Sequence, residues 1–169
     1  MKIVLETARL YLREFTLADA QLLVDLNSNP EVVKYLHEQA TTLAVAQHVL
    51  EQIILPQYAL YNHGRWAVHL KDTNTFIGWC GLKYVKERDE IDLGYRFFQN
   101  HWGKGYATEA AKATVAYGFD TMKMERIMAM AHIENTASQN VILKCGFQFQ
   151  KEDIVDYCPV KVYGLLNKA

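Results

Sequence analysis

The chain has 169 residues, of which 50% are apolar, 12% aromatic and 22% charged. That composition belongs to a globular domain and excludes disorder, collagen and a coiled coil. Eighteen Lys and Arg against nineteen Asp and Glu give a formal charge of −1, so no net field advertises a nucleic acid or a membrane surface as partner.

Thr7 to Arg13 alternates, Leu10 and Leu12 against Arg9, Tyr11 and Arg13, and predicts a first strand. Thr16 and Asp19 form a capping-box-like pair that opens a helix carrying Leu22, Leu23 and Leu26 and ending near Pro30. A short helical turn is expected over Glu31 to Leu36. Thr41 or Thr42 then caps a second helix, with Val45, Val49, Ile53 and Ile54 at helical spacing and Pro56 as its stop. Strands are predicted over Trp66 to Leu70, Thr75 to Val85 and Glu90 to Phe98, the first two joined through Lys71-Asp72-Thr73-Asn74. A helix over Gly105 to Met122 is followed by a strand over Arg126 to Ile133. A short helix from Ala137 to Cys145 stops at Gly146. Two strands, Phe147 to Glu152 and Val160 to Leu166, finish the chain. The order β-α-α-β-β-β-α-β-α-β-β, without repeat or linker, predicts one α/β (α+β) domain over residues 1–169, built on a mixed sheet.

Glu6 and Arg9 interrupt the apolar start too early for a signal peptide, and no run approaches the roughly 20 apolar residues of a membrane span. Cys80, Cys145 and Cys158 form no CxxC pair, which predicts reduced thiols, with Cys80 and Cys145 as core residues. His37, His48, His63, His69, His101 and His132 show no metal-binding spacing, so no metal is expected. Together these features predict a cytoplasmic protein.

The densest chemical signal is Gln99-Asn100-His101-Trp102-Gly103-Lys104-Gly105-Tyr106-Ala107-Thr108-Glu109-Ala110. Two glycines between a strand and a helix allow backbone N–H groups to close on an anion, and the helix dipole favours its charge. A plain glycine-bearing turn is the alternative. A Walker loop is disfavoured because Lys104 is followed by Gly105, and a Rossmann loop because Thr108 stands where a third small residue belongs.

Trp102-Gly103-Lys104-Gly105-Tyr106-Ala107-Thr108-Glu109-Ala110 resembles the acetyl-CoA loop of the GNAT superfamily of N-acetyltransferases, nearest to the RimJ/RimL-like branch that acetylates ribosomal-protein N-termini. That loop reads Arg/Gln-x-x-Gly-x-Gly/Ala; Gly105 and Ala107 fit, and Trp102 replaces Arg/Gln. The resemblance extends to Thr7–Arg13, Asn29–Val32, Ile77–Leu82, Ile91–Tyr95, Glu134–Ser138 and Asn140–Phe147. It implies the GNAT fold, a mostly antiparallel sheet splayed between the fourth and fifth strands and flanked by helices. It implies acetyl-CoA as co-substrate, with the pyrophosphate held by the backbone of Gly103, Lys104, Gly105, Tyr106, Ala107 and Thr108. Pantetheine would pair with the backbone near Tyr95, Arg96 and Phe97 like an added strand, and meet Asn135 and Asn140.

Acetyl transfer to an amine needs a neutral nucleophile, an oxyanion donor and support for the leaving thiolate. The resemblance places the N–H of Phe97 at the carbonyl and the hydroxyl of Ser138 near the sulfur; a local helix-start role for Ser138 is the alternative. Asp92, where relatives often carry Glu, is a candidate base, ahead of Glu90; a solvated strand face is the commoner explanation for a single carboxylate. The expected activity is N-acetylation of a primary amine, a protein N-terminus or a small molecule, with a non-catalytic coenzyme A-binding module as the other reading. Partners are then acetyl-CoA and the amine, with no membrane or nucleic acid, in a monomer or homodimer.

Overall fold

Leu10 and Leu12 are buried, but so are Tyr11 and Arg13, so the strand that carries them is covered on both faces. The computed structural model, which describes residues 1–36 and 41–168, shows what covers it. Eight strands form one sheet in the order β1-β2-β3-β4-β5-β6-β8-β7. They are β1 (Ile3–Glu6), β2 (Leu10–Glu14), β3 (Arg65–Leu70), β4 (Phe76–Val85), β5 (Glu90–Phe97), β6 (Arg126–His132), β7 (Gln148–Val155) and β8 (Cys158–Leu166). Every pairing is antiparallel except β5 with β6.

Helices α4 (Tyr106–Asp120) and α5 (Thr136–Lys144) cover one face. Their small residues Ala110 and Ala111, with Val115 and Ile142, pack on Leu82, Ile127 and Ala129. The alternation in β6 works as expected, sending Ile127, Ala129 and Ala131 into this core while Met128 packs with Val160 and Val162 on the other face. Helices α1 (Ala20–Asn27), α2 (Leu43–Val49) and α3 (Leu55–Tyr61) belong to that other face, where Leu23, Ala46 and the intervening Leu50 and Ile54 meet Phe15 and Ala67.

The first predicted strand, Thr7 to Arg13, opens as a turn and continues as β2, and β1 precedes it outside the predicted range. Thr7 closes the turn, its N–H bonding to Leu10 O at 2.9 Å and its Oγ1 accepting from the Leu10 N–H at 3.1 Å. The side-chain bond offers the backbone an alternative to continuing the ladder. Pro56 does not stop the second helix. The segment Leu50–Ile54 widens into a π turn in which the N–H of Leu55 bonds to the carbonyl of Leu50, and Pro56 then lies in the first turn of α3. A proline needs no partner for an N–H it lacks, and the shift in the ladder makes room for its ring. The Glu31–Leu36 stretch is a run of hydrogen-bonded turns rather than a helix. The Thr16 capping box is present, the Thr16 N–H donating to Asp19 Oδ2 at 2.8 Å.

Candidate active site

The phosphate-loop candidate connects β5 to α4. Gly103 and Gly105 have φ of +74° and +82°, the left-handed region in which a glycine carries no steric cost. A Cβ on Gly103 would meet nothing within 4 Å, and one on Gly105 only Arg9 Nη2 at 3.3 Å. Space in front of the loop is therefore open. The first intrahelical bond is Glu109 N–H to Gly105 O at 3.0 Å, which leaves the amides of Tyr106, Ala107 and Thr108 without helical acceptors. Trp102 fixes the base of the loop, its Nε1 donating to Phe97 O at 2.9 Å. Arg9 braces the far side, donating through Nη1 to Lys104 O at 2.9 Å and through Nε to Glu109 Oε1 at 2.7 Å.

Beside the loop the sheet is open. β4 pairs with β5 from Gly78↔Phe97 to Val85↔Glu90, whereas β5 pairs with β6 only at Asp92↔Met128 and Leu93↔Ala129. The N–H of Phe98 bonds to Ile77 O at 3.0 Å, and antiparallel hydrogen bonding alternates along a strand. The backbone of Arg96 therefore belongs to the ladder with β4, and the N–H groups of Tyr95 and Phe97 face the gap. Of the three residues expected to pair with a ligand, Tyr95 and Phe97 turn their N–H groups to the gap and Arg96 does not. Arg96 turns its side chain to α1 instead, donating from Nη1 to Asn27 Oδ1 at 2.6 Å.

Ser138 lies in the first turn of α5, on the α4 side of the gap. Its Oγ is 2.8 Å from the hydroxyl of Tyr95, which also donates to Ser138 O at 3.0 Å. Burial pushes the Tyr95 phenol well above its ordinary range, the bond to Ser138 opposing. Asn135 caps the helix, its Oδ1 accepting from the Ser138 N–H at 3.2 Å. Asn140 is exposed one turn further on.

Asp92 sits at the closed end of the gap, on the face opposite Ser138. Arg65 Nη2 donates to its Oδ2 and Arg65 Nη1 to its carbonyl, both at 2.8 Å. The side chains are only 16% and 14% exposed. Gly94 makes this possible: a Cβ there would lie 2.7 Å from the guanidinium. Asp92 thus anchors Arg65 through Oδ2 and its carbonyl, while Oδ1 is buried without a hydrogen-bond partner. Glu90 is likewise paired, with Arg88 at 3.1 Å. His132, at the end of β6, accepts the Glu134 N–H on Nδ1 at 3.1 Å and packs against Tyr35 with the rings tilted by 35°.

Buried Cys80 faces Thr114 Oγ1 at 3.4 Å, and burial pushes its thiol up to about 12. Burial likewise pushes Cys145 up to about 11. Both are poor thiolates. Among the described residues no group of three His, Cys, Asp or Glu could hold a metal ion, and no helix is long and apolar enough to cross a membrane; His37 lies outside those residues.

Sequence reasoning singled out the loop, the gap and Ser138 but not Arg65 or the Glu109 partners. Those contacts join residues 27 and 100 positions apart, beyond any local pattern.

A left-handed glycine loop beside a parallel pair that opens after two residues is a GNAT arrangement, and the comparisons agree. The acetyltransferase (GNAT) domain profile matches residues 9–148. The chain is 36% identical over 155 residues to an uncharacterized N-acetyltransferase, p20, of Bacillus licheniformis, covering 90% of this chain and 86% of that one. Its fold is similar to that of a GNAT-family acetyltransferase from Bacillus anthracis, with TM-score 0.80, 28% identity and full coverage of both chains. It is similar in fold alone to RimL, a ribosomal alpha-N-protein acetyltransferase in complex with coenzyme A, at TM-score 0.83, 15% identity and 98% coverage of each chain. The same holds for a spermidine N-acetyltransferase from Vibrio cholerae in complex with CoA and spermine, at TM-score 0.78, 19% identity and coverage of 95% and 97%. The chain belongs to the GNAT acetyltransferase family and is an acetyl-CoA-dependent N-acetyltransferase.

Proposed function

We propose that this enzyme acetylates an α-amine, such as the N-terminus of a peptide or protein, by direct attack on acetyl-CoA. The observation that carries the reading is the open seam between β5 and β6, with the glycine loop at one end and the Tyr95–Ser138 hydroxyl pair on its wall. The residues fit the co-substrate, since the cradle amides have no helical acceptors and no side chain fills it. Tyr106, Ala107 and Thr108 would hold the pyrophosphate through backbone N–H groups together with Gly103, Lys104 and Gly105. The backbone of Tyr95 would hold pantetheine, and the amide nitrogen of Asn135 and the side chain of Asn140 would flank it.

When bound, acetyl-CoA supplies the activated acetyl carbonyl. The Phe97 N–H donates to its oxygen, a preorganised donor of the kind that contributes most to acyl transfer. Ser138 donates from Oγ towards the sulfur as the C–S bond breaks and the C–N bond forms, and the amine proton leaves to water. Because Asp92 is committed to Arg65, the acceptor that demands least of the protein is one already neutral in part. An α-amine, near 8, meets that condition, and a lysine or polyamine amine, near 10.4, does not. The test is an acceptor panel of N-terminal peptides, amino acids, polyamines and aminoglycosides read by thiol release. Turnover with peptides and not with spermidine supports the proposal; the opposite preference overturns it. Coenzyme A binding without thiol release from any amine makes the protein a binding module.

A further inference from the structure

Four contacts converge on Arg9, in the β1–β2 turn, and all of them lead to the loop. Its Nη1 donates to Lys104 O at 2.9 Å, its Nε to Glu109 Oε1 at 2.7 Å, and its backbone N–H to Glu109 Oε2 at 3.0 Å. Its guanidinium lies 4.3 Å above the centre of the Tyr106 ring. Thr7 Oγ1 adds a third bond to the same carboxylate, at 2.5 Å.

Two features of this arrangement bear on an anion. Glu109 occupies the first turn of α4, the turn whose free amides face the cradle. A carboxylate there gains from the helix dipole in the empty protein, but it opposes any phosphate brought to the same amides. Burial draws its pKa up, and the bonds from Thr7 and Arg9 outweigh that and hold it below the usual carboxylate value, so it is ionised at neutral pH. In a trans peptide the C=O of one residue and the N–H of the next point in opposite directions. A guanidinium holding Lys104 O on the outside therefore aims the Gly105 N–H inward.

We propose that Arg9 is the charge-balancing residue of the diphosphate site: it cancels the Glu109 carboxylate and, through Lys104 O, turns the Gly105 amide towards the phosphates. The proposal rests on the reading of this loop as the acetyl-CoA phosphate site. A tertiary brace without electrostatic consequence is the competing account, and the two differ in what Glu109 does. If Arg9 balances charge, removing the carboxylate helps the anion; if the pair is only a brace, removing either partner harms it equally.

The experiment is calorimetric titration of coenzyme A into the full chain, with a melting curve for each variant to establish that it is folded. Arg9→Ala weakens binding about tenfold at low salt, the size expected of one uncovered charge at a partly exposed site, and less at high salt. Glu109→Gln tightens binding by about two- to threefold, since Arg9 is then uncompensated. The double variant recovers part of the Arg9→Ala loss, the remainder being the Gly105 amide that Arg9 no longer orients. Wild-type affinity in Arg9→Ala overturns the proposal alone. So does a Glu109→Gln loss equal to that of Arg9→Ala, or a double variant no better than Arg9→Ala. Absence of coenzyme A binding by the wild-type chain overturns the site reading and the proposal together.

Discussion

A phenol has one proton, and at Tyr95 two oxygens of the same residue compete for it. When Tyr95 donates to the carbonyl of Ser138, its own oxygen is left to accept from Ser138 Oγ, and the serine proton is spent on Tyr95. When Tyr95 donates to Oγ, the serine proton is free for another acceptor. On the proposed mechanism, Ser138→Ala lowers kcat by about 10²-fold, the low end for a positioned proton donor, with coenzyme A affinity unchanged; an unchanged kcat removes Ser138 from the mechanism. Tyr95→Phe acts through Ser138, so it lowers kcat less and adds nothing in the Ser138→Ala background. Gly105 allows a cleaner dissection, because its backbone and its empty volume are separate requirements. Asn tolerates the left-handed region better than other residues, so Gly105→Asn retains the fold while placing a side chain where phosphate oxygens belong. Coenzyme A titration and a melting curve check this: lost affinity with a preserved melting temperature is the expected pair of results.

Strand β2 reaches its neighbours through charges that a hydrophobic pattern does not register. Arg13 makes paired bonds to Asp19 at 2.8 and 3.0 Å and donates from Nε to His69 Nε2 at 3.1 Å. A guanidinium only donates, so His69 must keep a lone pair on Nε2 and its proton on Nδ1, where Asn74 O lies at 3.0 Å. Burial lowers the pKa of His69 and Arg13 lowers it further, with the Asn74 carbonyl opposing; burial also lowers that of His63, the Leu82 carbonyl opposing. The unfolded chain therefore takes up protons first as pH falls. Stability from these histidines is complete above about pH 6.5 and is lost as pH drops through their lower folded values. Thermal melts at about pH 7.5 and 5.5 should show the decline, and His69→Gln, which keeps an acceptor for Arg13 without titrating, should reduce it. Such elements mark what was legible beforehand. Strands β3 and β4 were readable from the turn residues Lys71 to Asn74 between them, although β3 is buried on both faces, and β6 was readable from its alternation. The β1–β2 break was not, because it depends on one Thr7 hydroxyl. Nor was the helix through Pro56, because it depends on a ladder shift that no residue type announces. The loop and Ser138 were readable as local motifs, whereas the tie between Asp92 and Arg65 exists only once β3, β4 and β5 are side by side.

Taken whole, the sheet is two blocks, β1 to β5 and β6-β8-β7, sharing two residue pairs along one seam and bridged by α4 and α5 packing across both. An extended ligand in that seam would supply the hydrogen bonds that strand pairing omits. Amide exchange at Tyr95 and Phe97 should accordingly be fast in the free protein and slow with coenzyme A, while amides of Arg96 and Gly94, bonded within the β4–β5 ladder, change little; equal protection of all four in the free protein would contradict the open seam. Ligand that binds only the folded chain also adds about 2.7 kcal/mol of stability at a hundredfold excess over Kd. A cell degrades its enzymes in proportion to the time they spend unfolded. The lifetime of this protein would then follow the supply of its own acyl donor, so that starvation for coenzyme A would thin the enzyme population before any regulator acted on it.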